Sequence, residues 1–157
     1  MQKITPFLWF DGQAEEAINL YTSIFKNSRI KSIARNPPGA PGLEGAVLTA
    51  SFELNGQEFI ALNGGPMFKF NEATSFVISC ENQDEVDYYW NALTADGGQE
   101  SMCGWLKDRF GLSWQVVPTA LPRLMSSGNA GQAQRVMGAM MKMKKMVVAD
   151  LEHAAEG

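Results

Sequence analysis

The first half of the chain combines short apolar runs with one stretch of helical periodicity. Residues 4–10 form an apolar and aromatic run that ends at Asp11-Gly12 and predicts a buried strand. In residues 14–25 the apolar positions recur at helical spacing, with acidic residues on the other face, which predicts an amphipathic helix. Further strands are predicted at 29–34, 47–54 and 58–62, and the last two are joined by the hairpin signal Asn55-Gly56. The prolines and glycines of residues 36–42 predict a loop.

The second half repeats this order of elements. Residues 75–80 predict a buried strand, and a helix that begins at Gln83 carries Trp90 on its apolar stripe, where we expect it in the core. Asp96-Gly97-Gly98 ends that helix. Two strands follow, at 101–107 and 112–117, and Asp108 is expected to brace the turn between them. Beyond Pro118 and Pro122, residues 130–155 are predicted to be mostly helical, and the pattern allows a break near 145–148.

The repeated order predicts an α+β fold of two βαβββ modules followed by C-terminal helices. A module of about 70 residues would leave one face of its sheet exposed, so we expect the two modules to pair and bury that face. We expect one domain over residues 1–157. Module one spans about 1–66, module two about 74–118, and the helical tail about 122–157.

Composition narrows the class of protein. The chain has 157 residues, of which 45% are hydrophobic, so it can bury a core and is not disordered. Thirteen basic and seventeen acidic residues give a net charge of −4, and the one basic cluster lies at residues 142–145, which argues against nucleic acid as a partner. No apolar stretch is long enough for a membrane span, and the N-terminus has no signal-peptide layout. We therefore expect a cytoplasmic protein.

Histidine and cysteine are scarce. His153 is the single histidine, which makes histidine-dependent metal or general-base chemistry hard to assemble. We expect it to be solvated on the terminal helix; the alternative is that a dimer partner's tail carries it into the other chain's cavity. Cys80 and Cys103 are too few for a zinc cluster or a disulfide framework. For Cys103 we favour a buried structural role over a nucleophilic or redox-sensing one.

The tail concentrates methionine. Residues 137–146 hold five of the nine methionines in the chain. The interpretation we favour is a helix that covers a sheet or a dimer seam, because a terminal helix needs an apolar face to dock. The alternative is a pliable surface for hydrophobic ligands or partners.

Several segments carry a resemblance to a known family. They are Ile4-Thr5-Pro6-Phe7-Leu8-Trp9-Phe10-Asp11-Gly12, Ala61-Leu62-Asn63-Gly64-Gly65-Pro66, Gln83-Asp84-Glu85-Val86-Asp87-Tyr88-Tyr89-Trp90, Cys103-Gly104-Trp105-Leu106-Lys107-Asp108 and Phe110-Gly111-Leu112-Ser113-Trp114-Gln115-Val116-Val117-Pro118. With the duplicated module, they resemble the vicinal oxygen chelate superfamily, which includes the glyoxalases, extradiol dioxygenases and bleomycin-resistance proteins. The closer resemblance is to its PhnB-like branch, often labelled a demethylubiquinone methyltransferase domain. The resemblance spans nearly the whole chain.

The resemblance implies where a metal would bind. In metal-using relatives, histidine or glutamate ligands come from the opening and closing strands of each half. The corresponding positions here hold Ile4, Thr5 or Pro6, then Leu62 or Asn63, then Thr74 or Ser75, and finally Gln115. A neutral amide is a poor ligand for a divalent ion. We therefore expect no metal and no cofactor.

The resemblance also places a cup on the curved sheet of each half. Its expected lining residues, as a candidate ligand-binding site, are Phe7, Trp9, Asn63, Cys103, Trp105, Trp114 and Gln115. Asn63 and Gln115 would lie near the former metal centre and suit a neutral polar ligand. The alternative is that the tryptophans are ordinary core residues and that Asn63 shapes the turn before Gly64-Gly65.

The function we expect is the binding of a small organic molecule in a metal-free cavity of a homodimer. The first alternative is an enzyme of the same superfamily, of lyase, dioxygenase or transferase type, including demethylubiquinone methyltransferase activity. Against methyl transfer, Asn63-Gly64-Gly65-Pro66 is the one glycine cluster after a strand, and no helical pattern follows it. A protein with vestigial cavities is the remaining alternative.

Overall fold

A computed structural model describes residues 2–39 and 43–157. The chain divides into two compact units, Met1–Lys69 and Phe70–Gly157. The first unit contains one helix and a sheet with strand order β1-β4-β3-β2. Its elements are β1 (Phe7–Phe10), α1 (Ala14–Ile24), β2 (Arg29–Arg35), β3 (Val47–Leu54) and β4 (Gln57–Asn63).

The second unit has the same plan and an added tail. Its sheet has the order β5-β8-β7-β6, which matches the first sheet strand for strand. Its elements are β5 (Ser75–Cys80), α2 (Gln83–Thr94), a 3-10 turn (Ala95–Gly97), β6 (Gln99–Glu100), β7 (Trp105–Lys107), β8 (Ser113–Pro118), α3 (Ala120–Ser126), α4 (Ala130–Met140) and α5 (Val148–Glu156).

In both units the opening strand runs parallel to the closing strand. β1 pairs with β4 and β5 with β8, whereas the other strand pairs are antiparallel. A parallel pair needs a crossover connection, and here the crossover includes the helix that follows the opening strand. This repeated topology confirms the predicted α+β fold of two βαβββ modules with C-terminal helices.

Each sheet has one buried face and one partly exposed face. In the first unit Phe10, Phe52 and Phe59 are buried on the face that α1 covers. In the second unit Leu106, Trp114 and Val116 are buried, and α2 packs against β7 and β8 with Trp90 only 2% exposed. The predicted core position of Trp90 is confirmed. Because successive strand residues point to opposite faces, the residues between these core positions lie on the uncovered face.

Most predicted boundaries hold within a few residues, and two do not. The first strand begins at Phe7 rather than at residue 4, and Ile4 is 85% exposed. The strand predicted over 101–107 is wrong. Of that range only Trp105–Lys107 (β7) is a strand, because Cys103 and Gly104 have positive φ angles, 60° and 82°, that turn the chain between β6 (Gln99–Glu100) and β7. Of the predicted loop 36–42, residues 40–42 lie outside the described residues.

Helix α3 begins two residues before the helical tail predicted over about 122–157. Proline breaks the interior of a helix, but Pro122 stands at the third position of α3. In the first turn of a helix the backbone N–H has no partner within the helix, so proline removes nothing there. The break predicted near 145–148 is confirmed, since α4 ends at Met140 and α5 begins at Val148.

Asp108 braces the turn between β7 and β8, as predicted. Its carboxylate is 3% exposed and accepts hydrogen bonds from the backbone N–H of Phe110 at 2.9 Å and of Leu112 at 3.1 Å. The other carboxylate oxygen accepts a bond from the indole Nε1–H of Trp114 at 2.9 Å. These bonds tie the turn to β8 and compensate for burying the carboxylate.

Asp108→Asn should destabilise the protein by about 1–3 kcal/mol. An asparagine can still accept the two backbone bonds, but its amide N–H₂ would then face the N–H of Trp114, donor against donor. Urea unfolding, monitored by tryptophan fluorescence, measures the loss of stability. Asp96→Asn is the matched control, because the side chain of Asp96 is 78% exposed, and it should change stability by less than about 0.5 kcal/mol. Equal stability of the two variants would contradict this role of Asp108.

The C-terminal helices form a cluster that is bonded to the rest of the second unit. Val136, Met146 and Leu151 are buried in the cluster, whereas Met137 and Met141 are exposed, so the methionine run is divided between core and surface. Gln83 holds the segment between α4 and α5 with its amide, which donates to the carbonyl of Met146 at 3.0 Å and accepts from the N–H of Val148 at 2.7 Å. Lys145 pairs with Asp87 at 2.8 Å.

The same segment holds the turn that precedes β7. The N–H of Cys103 donates to the carbonyl of Met143 at 2.7 Å, and that of Gly104 donates to the carbonyl of Lys144 at 2.8 Å. A Cβ on Gly104 would lie 2.9 Å from both the side chain of Met146 and the carbonyl oxygen of Val116. Glycine is therefore required at residue 104 for space as well as for its positive φ.

Gly104→Ala and Gly111→Ala separate these two requirements. Gly111 also has a positive φ, 89°, but nothing lies within 4 Å of a Cβ placed there. We expect Gly111→Ala to cost about 1 kcal/mol from backbone strain alone. Gly104→Ala should cost about 1–3 kcal/mol more, because the turn must move away from Val116 and the tail. Denaturant unfolding measures the loss of stability in the two variants. Equal losses would show that the close approach of residue 104 to Val116 and the tail has no effect on stability.

Candidate functional site

The predicted site residues of the first unit lie on different faces of its sheet. Phe7 and Trp9 are on the uncovered face, and Phe7 is 55% exposed. The indole of Trp9 donates to the carbonyl of Gly65 at 2.8 Å and contacts the ring of Phe68 edge-on, with 4.9 Å between ring centroids. A Cβ on Gly64 would be 2.4 Å from this indole, so the glycine gives it room to lie against the chain.

Asn63 lies on the opposite, helix-covered face. Its Oδ1 accepts a bond from the N–H of Ala14 at 2.9 Å, and its Nδ2 donates to the carbonyl of Val47 at 2.9 Å. Gln13, the residue before α1, makes no side-chain capping bond, so Asn63 supplies the missing acceptor from another strand. Both ends of the Asn63 amide are thus engaged by the main chain.

In the second unit the structure brings Trp105 and Gln115 together. They are directly opposite each other in the β7–β8 register, and Lys107 and Ser113 form the next pair on the same uncovered face. Gln115 donates to the hydroxyl of Ser75 at 2.9 Å. Trp114 points to the other face, is 3% exposed and makes its bond to Asp108.

A cavity of about 270 Å³ opens beside these strands. Its walls carry two carboxylates, one ammonium group, hydroxyls, an amide and an indole; the lining residues are Glu72, Gln99, Glu100, Ser101, Trp105, Leu106, Lys107 and Ser113. Of the residues predicted for the site, Trp105 lines this cavity, and Gln115 lies next along the same face. Cys103 lies in the turn that leads to Trp105.

Two features of the cavity concern charge and hydrogen bonding. Lys107 forms an ion pair with Glu72, and both side chains are partly exposed. The hydrogen bond from Lys107, reinforced by its positive charge, lowers the pKa of Glu72. Ser113 is fully buried, and its hydroxyl has no hydrogen-bond partner among the described residues. A buried hydroxyl without a partner is uncommon in a folded protein and calls for an explanation.

The residues present do not fit the metal centre that the superfamily implies. Within residues 2–39 and 43–157, no three His, Cys, Asp or Glu side chains gather in a way that could hold a metal ion. The position aligned with a metal-binding glutamate is Gln115, a neutral amide whose Nε2 donates to the hydroxyl of Ser75. The side chain of His153 is 89% exposed on α5.

The two cysteines differ in their exposure to solvent. Cys80 is fully buried, and burial raises the pKa of its thiol to about 12, with a smaller contribution from the charge of Glu85. Cys103 is only partly buried, which differs from the buried structural cysteine that the sequence suggested.

Iodoacetamide at neutral pH should therefore modify Cys103 and spare Cys80 in the native protein. The thiolate is the reactive form, and Cys80 forms almost none at that pH. Mass spectrometry of tryptic peptides locates the label, and labelling in denaturant is the control, in which both cysteines should react. Rapid labelling of native Cys80 would contradict this burial.

Comparison with known proteins identifies the family. A family model described as 3-demethylubiquinone-9 3-methyltransferase matches residues 2–117. The chain belongs to this family. A PhnB protein from Bacillus cereus that bears the same methyltransferase description is 42% identical; the match covers 75% of this chain and 100% of that one, with a TM-score of 0.70. The predicted PhnB-like membership is thereby confirmed.

More distant structures share the fold. A protein from Pseudomonas aeruginosa is 20% identical, with a TM-score of 0.63, and covers 75% of this chain and 98% of its own. The fosfomycin resistance protein FosX from Listeria monocytogenes is 12% identical, with a TM-score of 0.51, and covers 85% of this chain and 98% of its own. No curated protein matches the chain. None of the described helices has the length and apolar character needed to cross a membrane.

Proposed function

We propose that the protein binds a small polar organic molecule in the cavity of its second unit. The observation that carries this proposal is the fully buried hydroxyl of Ser113, which finds no hydrogen-bond partner in the part of the chain that the structure describes and belongs to a residue that lines the cavity. Leaving such a group unbonded costs free energy, and a ligand that approaches Ser113 can recover it.

The composition of the walls supports a ligand with both apolar and polar parts. Trp105 offers a flat apolar surface, while Gln99 and Ser101 offer donors and acceptors. A volume of about 270 Å³ is just below the usual range for ligand pockets, so the molecule should be small. Gln115, on the same face, can add its amide at the cavity edge.

The family description favours methyl transfer as a second candidate function. That reaction needs a donor site, and in doubly wound folds such a site has a glycine-rich loop between a strand and a helix. Here Gly64-Gly65 follows β4, but residues 66–74 contain no helix. The local structure therefore supports binding more directly than it supports methyl transfer. The expected homodimer and cytoplasmic location stay predictions.

A fragment screen tests the binding proposal. Small organic molecules that raise the Tm should also shift the indole N–H signal of Trp105 in ¹⁵N NMR spectra, and both effects should be lost in Trp105→Leu. Val77→Ala is the matched control, because Val77 is 58% exposed on the same face but does not line the cavity. Hits that bind Trp105→Leu as well as the parent protein, or a screen without hits, would overturn the proposal.

A further inference from the structure

Among the described residues that line the cavity, Lys107 is the one cation, and the carboxylate of Glu72 is bound to it. Lys107 lies on the uncovered face of β7, opposite Ser113 on β8. Its partner Glu72 is not part of the sheet; it lies in the segment that precedes β5. The ion pair therefore joins a strand to a loop. Both of its side chains are partly exposed to solvent.

The second carboxylate of the cavity is held away from Lys107. Glu100 lies opposite Leu106 in the β6–β7 register, and this places its side chain toward the face that α2 covers. There its carboxylate accepts a hydrogen bond from the indole of Trp90 at 2.8 Å. Glu72 is thus the carboxylate of the cavity lining that pairs with Lys107.

Replacing the Glu72 carboxylate on Lys107 with the carboxylate of a ligand would cost little free energy. A partly exposed Lys–Glu pair is worth only about 0–1 kcal/mol, because water screens it. A ligand carboxylate in the same place would keep the bond to Lys107. It could also reach Ser113, whose hydroxyl can donate, and place an adjoining apolar group against Trp105.

From these contacts, and resting on the proposed function, we infer that the ligand is a small organic carboxylate that displaces Glu72 from Lys107 and accepts a hydrogen bond from Ser113. Glu72 then acts as an internal competitor that occupies Lys107 in the free protein. The ligand class follows from the occupant already present, which is itself a carboxylate.

Benzoate and benzamide provide the test, because they have nearly the same shape and differ in charge. In ¹⁵N NMR titrations, benzoate should shift the signals of Trp105 and Ser113 with a saturable curve, and benzamide should not. Lys107→Gln should weaken benzoate binding about two- to fivefold, and Lys107→Arg should retain most of it. Ser113→Ala should weaken it about three- to tenfold, the net worth of one ordinary hydrogen bond.

Glu72→Gln gives the sharpest result, because it should improve binding. Removing the competing charge should tighten benzoate binding about two- to fivefold, whereas simple loss of a structural contact would weaken it. Equal binding of benzoate and benzamide, with no response to Lys107→Gln, would overturn the carboxylate inference and still support a small-molecule site. Absence of benzoate binding would also overturn the inference, and the fragment screen then decides the proposed function separately.

Discussion

The geometry of the second unit depends on the buried carboxylate of Asp108. Two backbone N–H groups and the indole of Trp114 donate to it, so the turn from β7 to β8 can close in only one register. That register places Trp105 opposite Gln115 and Lys107 opposite Ser113. A slip of β7 by one residue relative to β8 would turn Trp105 and Lys107 toward the helix-covered face, away from Gln115 and Ser113. The cavity exists because this turn fixes which face each side chain takes.

The same alternation decides how much of the site could be predicted from the sequence. The strands and their order followed from hydrophobic pattern and turn signals, because these are local properties. Within a strand, successive side chains point to opposite faces. Gln115 and Trp114 are neighbours in sequence, so one of them had to face the core. The prediction that Trp114 and Gln115 both line the site ignored this alternation. The prediction that Asn63 and Trp9 line the same site ignored it too. Applied strictly, the same rule would have found Ser113 and Lys107, which lie two positions from Gln115 and Trp105.

What the sequence pattern could not reveal depends on contacts between distant residues. Glu72 stands outside any strand, so no periodicity links it to Lys107. The turn at Cys103 and Gly104 looks like part of a strand in sequence, since its neighbours are apolar and aromatic. It turns because backbone carbonyls of Met143 and Lys144, about 40 residues later, accept its N–H groups. The role of Asn63 is equally non-local, because its amide completes the start of a helix 49 residues earlier.

The tail gives this chain a constraint that the family pattern does not include. The matching family model ends at residue 117, before α3, yet the segment between α4 and α5 bonds to the turn that carries Cys103 and leads into Trp105. Ser101 and Trp105, on either side of that turn, line the cavity. The position of one cavity wall therefore depends on residues outside the family match. In the proposed site, the charge of Lys107 and a wall braced by the tail would therefore both influence which molecule can bind.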